Sequence, residues 1–278
     1  MLEIKRLSFL FVLLIACFLP ASGQHMALHP EETQDFQKAV ELYKKEQYGN
    51  AQQIFDKIWQ NDLQYDREAR AAACYYAAQC AINLYNGDVR ERLENFAALF
   101  ELNPKIDQLY LAYANNLFSL KRYRDAAEFY DKVDAYAISN EDKAEYTFKK
   151  AYAYFSSEQQ KEAKKLFFSL KDGQSSYAGS ARYYYAHILY NDSNYQEALA
   201  NFLPLREDEQ FGALVPYYLA HIYHELENYQ KLIEVGQNLV ETATPSRAPE
   251  IAKLVADAFY QQKNYRQSVK YLEMYSKK

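Results

Sequence analysis

Five histidines, three cysteines and 28 tyrosines are the residues of this 278-residue chain that invite a chemical reading. The run His221-Ile222-Tyr223-His224-Glu225 puts two imidazoles three residues apart, with a carboxylate beside the second. On a helix those rings share a face one turn apart. His187 holds the matching place 34 residues before His221. Two or three such rings could converge on Zn²⁺, which accepts neutral imidazole nitrogen. The order is not His-Glu-x-x-His, however, and Glu225 falls off the face shared by the two histidines. We therefore assign no metal ligand, catalytic residue or cofactor site, and the chain is expected not to be an enzyme. A metal-dependent enzyme is the alternative that the histidine pair leaves open.

The remaining reactive types read similarly. Cys74 and Cys80 lie six residues apart in one predicted helix, about 120° round its axis and about 9 Å along it, too far for a disulfide. They are expected to be small buried residues. Carboxylates and lysines alternate from Glu158 to Lys165 as on a solvated helix face. With seven glycines the chain has no Gly-x-Gly-x-x-Gly, no P-loop and no Gly-x-Ser-x-Gly.

What must position these residues is a set of helices. Gly and Pro are few, and Ala, Gln, Glu, Lys, Leu and Tyr dominate; apart from the tyrosine this is helix composition. One phrase recurs, in which a polar turn precedes an aromatic, a small residue follows three places on and a large ring four after that. It is Tyr48-Gly49-Asn50-Ala51 with Phe55, Tyr123-Arg124-Asp125-Ala126 with Tyr130, and Tyr195-Gln196-Glu197-Ala198 with Phe202. Looser copies begin at Gln160, Tyr229 and Tyr265. From Tyr123 the anchors are spaced by 37, 35, 34 and 36 residues. A helical period in the mid-thirties indicates stacked helix pairs. The second pair is irregular: Tyr48 to Val89 is 41 residues, and Arg92 takes the small place, so an insertion or different packing is expected there. Leu232 and Ser268 are further departures. Thr33 or Asp35 can cap the first helix and Ser246 the seventh pair. Pro104 should close a helix, Pro204 end or bend one, and Pro216 sit in a first turn.

The repeat resembles the tetratricopeptide repeat, a helix–turn–helix of about 34 residues, over residues 33–278. The resemblance rests on a small residue midway along each first helix: Ala39, Cys80, Ala114, Ala151, Ala186, Ala220 and Ala256. It implies an all-α, right-handed solenoid of about seven helix pairs whose first helices line a concave groove. By that implication Leu111, Asn115 and Phe118 face inward, as do Phe148, Tyr152 and Phe155. Tyr183, His187 and Tyr190 follow, then Tyr217, His221 and His224, and finally Lys253, Asp257 and Tyr260. The candidate partner-binding residues are Asn115, Tyr152, Tyr183, His187, Tyr190, Tyr217, His221, His224 and Tyr260. Tyrosine offers a wide apolar face and a hydroxyl with little rotamer entropy to lose. Filling gaps between repeats is the competing use of these rings. The Lys/Asn/Arg clamp by which some family members hold a C-terminal carboxylate is matched only at Asn115.

The first 23 residues read as an export signal. Lys5 and Arg6 precede an apolar run from Leu7 to Leu19, and Ala21 and Gly23 favour cleavage before Gln24. Leu14-Ile15-Ala16-Cys17 offers a competing lipobox, in which Cys17 would be acylated. Residues 24–32 then form a flexible lead-in. The chain is expected in the periplasm or at the outer membrane, touching membrane only through lipidation or a partner. Its formal charge is −5, or −6 once Lys5, Arg6 and Glu3 are removed, with no basic run, which argues against nucleic acid. The expected role is a non-enzymatic scaffold that binds a protein or peptide. The alternatives are a lipoprotein assisting outer-membrane assembly and a structural spacer. Val269, Leu272 and Tyr275 continue their helical spacing to the last residues, so a longer array or a partner at that end is also expected.

Overall fold

The computed structural model describes residues 33–242 and 247–276. The signal segment, Cys17, the lead-in with His25 and His29, and the expected cap Ser246 lie outside them. The described residues form fourteen α-helices and no strand. In order they pair as α1 (Gln34–Lys44) with α2 (Tyr48–Trp59), α3 (Arg67–Asn83) with α4 (Val89–Leu99), and α5 (Lys105–Ser119) with α6 (Tyr123–Lys132). Next come α7 (Lys143–Ser156) with α8 (Gln160–Leu170), and α9 (Ala178–Asn191) with α10 (Tyr195–Phe202). Then follow α11 (Val215–Glu225) with α12 (Tyr229–Thr242), and α13 (Ala248–Gln261) with α14 (Tyr265–Ser276). Two compact units divide the chain, Met1–Glu101 with α1–α4 and Leu102–Lys278 with α5–α14. Inside each unit every helix packs on the next, the all-α helix-pair architecture that the repeat predicts.

Local chemistry starts and stops these helices. Thr33 Oγ1 accepts a hydrogen bond from the Phe36 amide and Asp66 Oδ1 from that of Ala69, satisfying amides that a first turn leaves without partners. Pro216 lies in the first turn of α11, where its missing N–H costs nothing. Pro204 sits in a short 3₁₀ turn, Leu203–Leu205, that ends α10. Pro104 differs from expectation: α4 has already ended at Leu99, and Pro104 directly precedes α5.

Every pair turns in the same way. Glu46, Tyr85, Lys121, Glu158, Ser193, Glu227 and Lys263 stand between first and second helices with φ from 56° to 66°. In each case the next residue donates its amide five residues back, as Gln47 to Leu42, Asn86 to Ala81 and Asn264 to Phe259, at 2.8–3.0 Å. This is the left-handed helix stop, in which the reversed bond satisfies a terminal carbonyl. Glycine usually fills it, and none does here. The contacts of the pair hold a side-chain-bearing residue in a conformation that costs about 1–2 kcal/mol.

The turn sets the register of the packing. The small residue lies seven places before the left-handed one at Ala39, Ala114, Ala151, Ala186, Ala220 and Ala256, each essentially without exposed surface. Applied to Tyr85, that interval gives Ala78 and corrects the assignment of Cys80. Cys80 is buried two places further on, and burial pushes both thiols, Cys74 and Cys80, up to about 12. The irregular spacing also resolves. Gly87 and Asp88 lengthen the turn by two residues before α4 begins at Val89. Arg92 then reaches Asp56 of α2 at 2.7 Å and Asp88 at 2.8 Å. Trp59 Nε1 donates to the same Asp56 at 2.8 Å, so the small site is exchanged for a polar bridge.

Seven residues into the second helix stands a ring that the next first helix covers. Phe55 stacks on Tyr76 at 5.1 Å, Phe167 on Tyr184 at 5.4 Å and Phe202 on Tyr218 at 4.8 Å, while Tyr130 meets Tyr146 edge-on at 5.8 Å. All four rings are fully buried on the second-helix side. The sixth pair inverts the sizes, with Leu232 at the small site and Gly236 at the ring site. A Cβ on Gly236 would come within 2.4 Å of Val255 Cγ2. Glycine to alanine inside a helix ordinarily gains about 1 kcal/mol. Here Gly236→Ala is expected to lose about 1–3 kcal/mol, because stiff Val255 cannot retreat. Urea unfolding checks this, with recovery expected in the Gly236→Ala/Val255→Ala double variant; an unchanged or stabilised single variant would contradict it.

Candidate functional site

The same turn register aims two further rows of side chains. One residue after the small site come Asn115, Tyr152, His187, His221 and Asp257; four after it come Phe118, Phe155, Tyr190, His224 and Tyr260. All ten are half-buried except Tyr260, which is exposed. A side chain that is half-covered by its neighbours keeps surface for a partner.

The rings form a connected line. Phe118 meets Tyr152 at 5.7 Å, Tyr152 meets Tyr184 at 5.2 Å, and Tyr184 meets Phe155 at 5.1 Å. Phe155 passes to His187 at 5.6 Å, His187 to Tyr218 at 5.7 Å, and Tyr218 to Tyr190 at 5.4 Å. Tyr218 also meets Tyr217 at 5.9 Å, and Tyr217 meets His221 at 4.6 Å. Four successive first helices, α5, α7, α9 and α11, contribute. Most contacts are edge-on or tilted, the arrangement that aromatic quadrupoles prefer, and each is worth about 0.5–1.5 kcal/mol beyond area burial. The line is thus both a packing device and a surface.

The structure sorts the candidate residues. Tyr152, His187 and Tyr190 lie in the line. Tyr183 does not offer a face: it is 9 % exposed and stacked on Phe211 at 4.4 Å. Its place is interior packing, a correction to its expected inward role, and burial moves its hydroxyl far above the ordinary tyrosine value. Asn115 is half-spent, since its Oδ1 accepts from the Tyr130 hydroxyl at 2.8 Å. Tyr260 is the most open, 59 % exposed, with its ring 5.5 Å from Tyr265. Tyr184 and Tyr218 are residues the sequence reading passed over. They follow Tyr183 and Tyr217 directly, and only the turn register, placing both two residues before the small site, tells which of two adjacent tyrosines caps the ring beneath.

Polar chemistry gathers at the α11–α13 end. The Tyr217 hydroxyl donates to Glu250 Oε2 at 2.8 Å; burial first, then this bond, pushes its pKa up to about 12. The Arg247 guanidinium lies 4.8 Å from the Tyr217 ring centroid. His221 Nε2 makes no hydrogen bond and sits 3.6 Å from Glu250 Oε1. His224 lies 3.5 Å from Glu225 and 4.0 Å from Asp257. Among the described residues no three His, Cys, Asp or Glu side chains are grouped to hold a metal ion. No helix among them is long and apolar enough to cross a membrane. Elsewhere in this unit a cavity of about 400 Å³ lies at the turns of the third and fourth pairs, lined by residues that include Lys121, Arg122, Arg124 and Glu158.

Comparison with known proteins finds likeness among solved structures at low sequence identity. No family model matches it, and no curated protein does. Among solved structures it is similar to YrrB, described as a TPR protein with an unusual peptide-binding site. The TM-score is 0.49 at 16 % identity, covering 65 % of this chain and 89 % of that one. It is similar to apo RapI at TM-score 0.47 and 18 % identity, covering 87 % and 74 %. A tetratricopeptide repeat protein from Parabacteroides merdae follows at 0.44 and 13 %, covering 87 % and 91 %. The helix-pair architecture itself rests on this chain's own turns and contacts.

Burial holds His187 below the ordinary histidine pKa, and burial does the same to His221, against the opposing pull of Glu250. The unfolded chain therefore takes up protons near pH 6.5 that the folded chain accepts only at lower pH. Stability from these groups is full above about pH 6.5 and falls as pH drops towards their folded values. The melting temperature of the full chain should decline over that window, and His187→Gln should flatten the decline. An equal slope in the variant would contradict the burial of an uncharged His187.

Proposed function

We propose that this chain is a non-enzymatic interaction scaffold that receives a peptide or a helix of a partner protein along the aromatic face of α5, α7, α9 and α11. The supporting observation is the continuity of that face. Half-buried rings from four successive helices touch in line and leave their outer edges open, as tyrosine-rich recognition surfaces do. A spacer would need only the buried rings beneath. The half-exposed second layer, Tyr152, His187, Tyr190 and His224, favours recognition.

A photo-crosslinking amino acid placed at Tyr152 or Tyr190 tests this in the native cell. Discrete cross-linked protein species are expected from both positions and none from Lys165 on the exposed side of α8. The same species from all three positions, or none from any, would favour a spacer.

Work in the cell envelope is part of the proposal and rests on the Lys5–Gly23 pattern. Two processed forms are distinguishable by intact mass: a free chain beginning at Gln24, or an acylated one beginning at Cys17. The second would support the narrower reading, a lipoprotein assisting outer-membrane assembly. An unprocessed chain beginning at Met1 would contradict export.

A further inference from the structure

The polar end of the aromatic face has a chemistry of its own, and we infer that it is an anchor for an arginine or lysine side chain of the partner segment. This inference rests on the binding face proposed above and specifies what the bound segment must carry.

The geometry is that of a cation site. Tyr217 supplies a ring face and donates its hydroxyl to Glu250, which fixes the ring and leaves Oε1 of that carboxylate turned towards His221. Glu250, 52 % exposed, stands at Tyr217 itself, and Glu225 and Asp257, 48 and 44 % exposed, flank His224 one turn further along α11. An aromatic face bordered by carboxylates attracts a guanidinium or ammonium through the ring quadrupole and through charge. That a guanidinium fits is visible inside the molecule: Arg247 already lies over Tyr217 at 4.8 Å. We read Arg247, exposed at the N-cap of α13, as an internal occupant displaceable by a partner's cation. The alternating rings towards Tyr190 and Tyr152 would then receive the apolar residues that follow.

A random twelve-residue peptide library displayed on phage, panned on the immobilised full chain, provides the probe. The expected result is enrichment of Arg or Lys at one fixed position beside aromatic or aliphatic residues. The synthetic consensus peptide should bind at least fivefold more weakly to Glu250→Gln and at least threefold more tightly to Arg247→Ala. Affinity should fall as salt rises, since the carboxylates are half-exposed. Melting temperatures within a few degrees of the parent confirm that both variants are folded, and Asp257→Asn serves as second variant if either is not. Selected peptides without a basic position, bound through Tyr190 and Tyr152, would overturn this inference and leave the binding face standing. A basic consensus whose affinity ignores Glu250→Gln, Asp257→Asn and Arg247→Ala would also overturn it. Failure to select any peptide would overturn both.

Discussion

The fixed interval between turn and packing site carries this structure. A left-handed residue stops each first helix, and the amide after it closes a bond to the carbonyl five residues back. That bond fixes the rotation of the first helix relative to the second. Seven residues earlier is then always the site of closest approach, which must be small. The second helix, set by the same turn, presents a ring beneath the helix that follows. Because the rotation is fixed, the positions one and four after the small site must emerge together on successive helices. The aromatic face is therefore a consequence of the turn, written into side chains that the packing leaves half-covered.

Where the pattern departs, the volume or charge is restored nearby. Arg92 replaces an alanine and is held by Asp56 and Asp88, with the turn lengthened by Gly87 and Asp88 to let it reach. The sixth pair exchanges large and small, Leu232 for alanine and Gly236 for a ring, and Val255 enters the space that the glycine leaves. Close-packed interiors admit such exchanges only in compensating sets.

Much of this was legible in the residues. Helix pairs and their number follow from periodic apolar residues, scarce glycine and polar turns. Thr33, Pro204 and Pro216 act as their types demand. Two things were not legible. The turn residue is Glu, Tyr, Lys or Ser rather than glycine, so the usual marker of a left-handed stop is missing, and spacing alone puts the small site of the second pair on Cys80 instead of Ala78. The same ambiguity hides Tyr183 and Tyr184 from one another. Adjacent residues of one type differ by about 100° round a helix, and only the turn decides which faces inward. The meeting of Tyr217, Arg247 and Glu250 joins residues 30 or more apart in different pairs, and no local spacing announces it.

Hydrogen–deuterium exchange of the full chain, with and without a peptide selected on it, most directly tests whether this face is a binding surface. Slowed amide exchange is expected in α5, α7, α9 and α11, and in α13 at the polar end, with α8, α10 and α12 unchanged. Protection concentrated in the second helices, or none in the first helices at saturating peptide, would contradict it.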